Sequence, residues 1–211
     1  SADSRQVYRG CDIGTGKITR HEQQGIPHHL LDIADPAKQF DVVKFQHRAK
    51  RAIIDIIRRG RIPFLVGGTG FWVDAVAYDL QLPAVPQNPG LRKRLLKNKP
   101  AELFATLACL DPERAKTIEP KNHRRLIRAI EIAMVLGRVP KIKKRKPYRV
   151  LWLGVTAPPK ILAARIRTRL KTRLRRGMIA EVRRLRSQGL SWRRFYELGL
   201  EYRFLADYLR R

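Results

Sequence analysis

Apolar positions recur at helical spacing from Asp41 to Arg59. Val42, Phe45, Ala49, Ala52, Ile53, Ile56 and Ile57 stand among basic residues, a pattern that predicts an amphipathic helix. Asp41 reads as its N-cap and Gly60 as its C-terminal stop. Ile62-Pro63-Phe64-Leu65-Val66 is a short apolar run ending in glycines, which predicts a buried parallel strand feeding a loop and a second helix from Phe71. Helix, strand, glycine loop and helix in succession is the rhythm of an α/β sheet. Pro83, Pro86 and Pro89 break it and mark a domain edge. Residues 91–136 then read as helical throughout, punctuated at Asp111-Pro112 and Glu119-Pro120. A lysine-rich tract follows over 139–147, and sheet is expected again over 149–156. Ala157 to Ser187 reads as a helix that is very basic. The pattern therefore predicts an α/β core, residues 1–81 and 148–211, interrupted by a helical insertion over 82–147.

The length of 211 residues suits one domain with a smaller appendage, and 44% hydrophobic content is ordinary for a globular chain. The charge is not ordinary. Lys and Arg number 46 against 18 Asp and Glu, giving +28. This excess exceeds what solubility needs and points to a polyanionic partner, nucleic acid first. Between 165 and 186, Arg165, Arg167, Arg169, Lys171, Arg173, Arg175, Arg176, Arg183, Arg184 and Arg186 face only Glu181. Like charges so arranged repel unless an anion lies against them. Cys11 and Cys109 make no disulfide framework, so a reducing cytoplasm is the expected compartment. No run approaches the length of a membrane span.

Three motifs invite chemistry. Gly10-Cys11-Asp12-Ile13-Gly14-Thr15-Gly16-Lys17 has the look of a phosphate-binding P-loop, but Cys11 stands where the first glycine belongs and Ile18 where the hydroxyl should be, so that reading fails. Gly67-Gly68-Thr69-Gly70, between the expected strand and helix, has backbone N–H groups that suit a phosphate or a simple tight turn. His28 and His29 are adjacent in the chain, so they point to opposite sides and suit a structural role better than a shared metal ion. Asp3, on spacing alone, is a turn or capping residue.

Taken together, Asp3-Ser4-Arg5-Gln6 with Tyr8, Gly10, Asp12-Ile13-Gly14-Thr15 and Lys17, then Pro27-His28-His29-Leu30-Leu31-Asp32 and Gly67-Gly68-Thr69-Gly70, resemble the tRNA dimethylallyltransferase family in type and order. The resemblance extends over nearly all of the chain. It implies a P-loop-NTPase-like parallel sheet with a helical tRNA-binding insertion. It also implies transfer of a dimethylallyl group from dimethylallyl diphosphate to N6 of adenine 37 in tRNAs reading codons that begin with U. Asp3 is then the general base that takes the N6 proton, Thr69 lies at the reacting adenine and diphosphate, and Asp3, Ser4, Arg5, Gln6 and Thr69 hold the tRNA. The pattern Arg124-Arg125-Leu126-Ile127-Arg128 matches a family segment that touches tRNA, with Arg124 in place of a Gln, and Arg92 matches a further contact. Arg165 and Arg169 match residues that approach the donor diphosphate, Arg169 with a catalytic share. Lys171 and Arg173 replace an Asp and a Met common in the family.

The same resemblance implies Mg²⁺, an ATP-type nucleotide-binding core, a monomer acting on the tRNA anticodon stem-loop and no membrane. It further implies a P-loop upstream of Asp3 and a C-terminal helix, neither of them within these residues, and hence poor donor binding by this stretch alone. The rival expectation is a catalytically inactive, basic RNA-binding module. A small-molecule kinase-like α/β protein explains the charge less well.

Overall fold

The computed structural model describes every residue, Ser1–Arg211. It carries ten helices: α1 Val42–Arg58, α2 Gly70–Ala77, α3 Pro89–Leu95, α4 Pro100–Leu110, α5 Pro112–Ala115, α6 His123–Leu136, α7 Pro159–Arg175, α8 Met178–Ser187, α9 Trp192–Leu198 and α10 Leu200–Leu209. The chain divides into two compact units. One is Ser1–Asp79 with Lys146–Arg211 and the other is Leu80–Arg145.

In the first unit, Asp41 caps α1 by accepting from the Lys44 N–H at 2.9 Å. Phe45 stacks on Trp72 of α2 with centroids 4.4 Å apart, and Gln46 donates from Nε2 to the Ala75 carbonyl at 2.6 Å. Cys11, Val182, Leu185, Phe195, Leu198 and Tyr202 join them in the core. Each large apolar side chain so buried contributes about 1.5–3 kcal/mol. The long helix expected over 157–187 is two helices, because Gly177 adopts φ 94°, a left-handed conformation that breaks the run between α7 and α8.

In the second unit, α4 and α6 pack along each other. Leu103 and Leu107 meet Leu126, Ile127 and Ile130. Asn122 caps α6 by accepting from the Arg125 N–H at 3.1 Å, and Gly137 ends it with φ 76°. The helical reading of 91–136 resolves into four helices, breaking at the predicted Asp111-Pro112 and Glu119-Pro120 and also, unpredicted, between Leu95 and Pro100.

The expected parallel sheet is not formed. Bridged backbone in the first unit is one parallel bridge between Tyr8 and Ala34. Ala2 also donates to the Val66 carbonyl at 2.6 Å. Residues 62–66 and 149–156 belong to no ladder. Ile62, Phe64, Val66, Leu151 and Leu153 face solvent and Val155 is wholly exposed. A strand is stable only with neighbours on its edges, and beyond Ala2 no segment bonds to either run.

Candidate active site

The site begins where residues far apart in sequence are forced together. A side chain at Gly67 would collide with the backbone of Ala2, so the glycine permits a close crossing of the two segments. Two residues on, Thr69 is the N-cap residue of α2, but its hydroxyl does not cap the helix. It accepts from the Ser4 N–H at 3.1 Å and donates to Ser4 Oγ at 3.2 Å. Thr69 and the Asp3-Ser4 pair, 65 residues apart, therefore share one half-buried corner.

Asp3 there has two jobs divided between its oxygens. Oδ1 accepts from the Arg5 N–H at 2.7 Å and the Gln6 N–H at 3.3 Å, closing the local turn. Oδ2 takes no hydrogen bond from the chain. Arg5 is anchored on the Glu197 carbonyl at 2.8 Å. Gln6 donates to the Gly16 carbonyl at 3.2 Å and accepts from Ser1 Oγ at 3.4 Å.

The loop rejected above as a P-loop turns its N–H groups on the chain itself. Its N–H groups are already filled: Glu181, buried on α8, accepts from Asp12 N at 2.8 Å, Ile13 N at 2.7 Å and Gly14 N at 3.0 Å, and from the Tyr202 hydroxyl at 2.8 Å. Burial, with Cys11 and Glu181 nearby, pushes the Tyr202 phenol well up, so it stays a donor. Lys17, also buried, bridges the Tyr8 carbonyl at 2.7 Å, Asp12 Oδ1 at 2.7 Å and Asp32. It thereby pins the 10–16 loop to the 30–32 turn, where Leu30 and Asp32 both hold left-handed φ. His29, in the same turn, has its Nε2 buried without a partner, and its carbonyl accepts from the Ser1 amine at 2.9 Å.

Arg173, unexplained from sequence, donates to the Gly14 carbonyl and to Glu201, each at 3.3 Å, and so belongs to this support. Arg165 and Arg169 are exposed on α7, with no ion pair or hydrogen bond to the Asp3 corner. As for Mg²⁺, no three acidic, His or Cys side chains converge into an all-protein cage, Asp12 and Asp32 share the one Lys17 cation, and Glu181 is filled.

In the second unit the residues expected at tRNA have partners within the chain as well. Arg92 grips the buried Glu131 with Nε at 2.7 Å and a terminal nitrogen at 2.6 Å. Arg128 reaches Glu131 at 3.2 Å and the Val85 carbonyl at 2.8 Å. Asn88 donates its N–H to Glu131 at 2.9 Å. Burial pushes the Glu131 carboxyl up, but the Arg92, Asn88 and Arg128 hydrogen bonds outweigh it and hold the group below its ordinary range. Arg92 and Arg128 are thus structural clamps first. The Leu126 and Ile127 side chains are buried in the core. Of the expected arginines, Arg124 and Arg125 are exposed on α6. A signal for the buried acids was present: Glu131 is the only acid in α6 and Glu181 the only one in α8.

The profile described as IPP transferase matches residues 6–211. The chain is 43% identical over 195 residues to the tRNA dimethylallyltransferase of Anoxybacillus flavithermus, covering 90% of this chain and 63% of that protein. It is 44% identical over 197 residues to the tRNA dimethylallyltransferase of Thermomicrobium roseum, covering 90% and 60%. The chain thus spans about three-fifths of the length of these relatives. Among solved structures, the full-length tRNA isopentenylpyrophosphate transferase of Bacillus halodurans is 38% identical, with a TM-score of 0.66 over 99% of this chain and 67% of that one.

Proposed function

The chain belongs to the IPP transferase family, and from that membership we propose that it serves transfer of a dimethylallyl group from dimethylallyl diphosphate to N6 of adenine 37 in the tRNA anticodon loop, in tRNAs reading codons that begin with U. The observation that carries the reading is the corner where Thr69 is bonded to Ser4 beside the free oxygen of Asp3.

The chemistry follows from adenine, whose N6 lone pair is delocalised into the ring. As N6 bonds to the allylic carbon, the carbon–oxygen bond to diphosphate breaks and the N6 proton must leave. Asp3 Oδ2 takes that proton, which is general-base catalysis. Ser4 and Thr69 hold the ring edge by hydroxyl hydrogen bonds. Arg165 and Arg169 supply positive charge toward the departing diphosphate. The exposed Arg124 and Arg125 suit phosphate contact along the RNA.

A second reading, an RNA-binding module without transfer, is favoured by one observation: Glu181 already occupies the glycine loop, so this loop offers nothing to a donor phosphate. Incubation with radiolabelled dimethylallyl diphosphate and an anticodon stem-loop separates the two. Label appearing on adenine, and falling about 10²- to 10⁴-fold in Asp3→Asn, supports transfer. RNA bound without label supports the module, and label unaffected by Asp3→Asn removes Asp3 from the chemistry.

A further inference from the structure

The cations of α7 do not form one undivided cloud. At about 100° per residue, Lys160, Arg167, Lys171 and Arg175, spaced by seven, four and four residues, fall within about 80° of one another. They make a straight row about 22 Å long at 1.5 Å rise per residue. Arg165, Arg169 and Arg173 make a second row, about 160° round the helix. Of the second row, Arg173 is turned inward, where it bonds to Gly14 and Glu201, while Arg165 and Arg169 are exposed. The first is therefore turned outward. All four of its residues are exposed, and none has an acidic partner. No residue of α7 is buried, so packing does not account for the row.

We propose that this outward row is a rail for the phosphate backbone of RNA, separate from the arginines assigned to the diphosphate. The inference rests on the RNA-modifying reading above and extends it to a surface. A single diphosphate is too short to satisfy a row of this length, whereas a nucleic-acid strand presents phosphates continuously. An anionic membrane is the poorer fit. Leu162 and Ile166 flank Arg173, Leu170 lies between the two rows and Leu174 borders Arg167, so the outward face offers four cations with apolar residues only at its border.

The test measures binding of the 211-residue chain to an RNA stem-loop across salt concentrations. K160Q/R167Q/K171Q/R175Q is compared with R20Q/R51Q/R58Q/R61Q, which removes the same charge from exposed positions elsewhere. Four lost phosphate contacts flatten the log–log slope by about three, at roughly 0.7–0.9 per contact. The rail predicts that loss for the first variant, less than one for the second, and an unchanged slope for K160R/K171R, with circular dichroism unaltered in all. If both quadruple variants shift alike, the rail is wrong while RNA binding stands. If the unaltered chain ignores RNA even at low salt, the functional reading falls and the rail with it. Sedimentation with phosphatidylserine vesicles in place of RNA overturns the rail in favour of a membrane surface.

Discussion

Cys11 and Cys109 differ only in where the fold puts them. Cys11 lies in the core, and burial, opposed by a hydrogen bond with Tyr202, pushes its thiol up to about 11. Cys109 is exposed. A thiol-specific colorimetric reagent at pH 8 is expected to titrate one thiol in the folded chain and two in urea, since the thiolate is the reactive form. Linkage gives the pH side. A raised thiol contributes stability that is complete below its unfolded value of 9.0 and is lost as pH rises toward about 11. Thermal melts should therefore show a loss between those values that is smaller in Cys11→Ala than in the unaltered chain. Asp3 is readable in the same atomic terms. Asn at this position keeps an oxygen for the Arg5 and Gln6 N–H groups, so Asp3→Asn tests proton acceptance without dismantling the turn.

At the scale of elements, Glu131 joins α6 to α3 and to the loop before it. Glu131→Gln leaves the Arg92 and Arg128 guanidiniums short of a charged acceptor and is expected to lower stability of the second unit by about 1–3 kcal/mol, read from urea unfolding. The Glu131 carboxyl is depressed, so its contribution is present above the ordinary value of 4.5 and lost as pH falls through the lower folded value. Glu131→Gln should remove part of that acid dependence. Helices α1 and α6 were visible in sequence because their signals are local: Asp41 and Asn122 each cap with their own side chain, and Gly137 stops its helix where the periodicity ends; α9 and α10 were not read. Apolar content announced strands over 62–66 and 149–156, but a ladder depends on a neighbour, which no single run encodes. The roles of Arg92 and Arg128 were hidden for a related reason. Spacing shows that arginines lie close together, not that a buried carboxylate three or 39 residues away has claimed them. Asp3 and Thr69 were found through motif resemblance, and their hydrogen-bonded corner needed the fold.

For the molecule as a whole, two tendencies oppose each other. A charge of +28 keeps copies apart, while the unladdered runs carrying Phe64 and Leu153 invite them to pair edge to edge. Salt weakens only the first, since the Debye length shrinks from about 10 Å at 0.1 M to about 3 Å at 1 M, while burial of apolar surface persists. Light scattering of the chain alone should therefore rise with sodium chloride, the reverse of ordinary salting-in, and lysine substitutions at Phe64 and Leu153 should suppress the rise. The colloidal behaviour of this protein is thus set by its open edges. Salt high enough to weaken phosphate contacts is therefore also the condition in which the chain alone is expected to gather into assemblies.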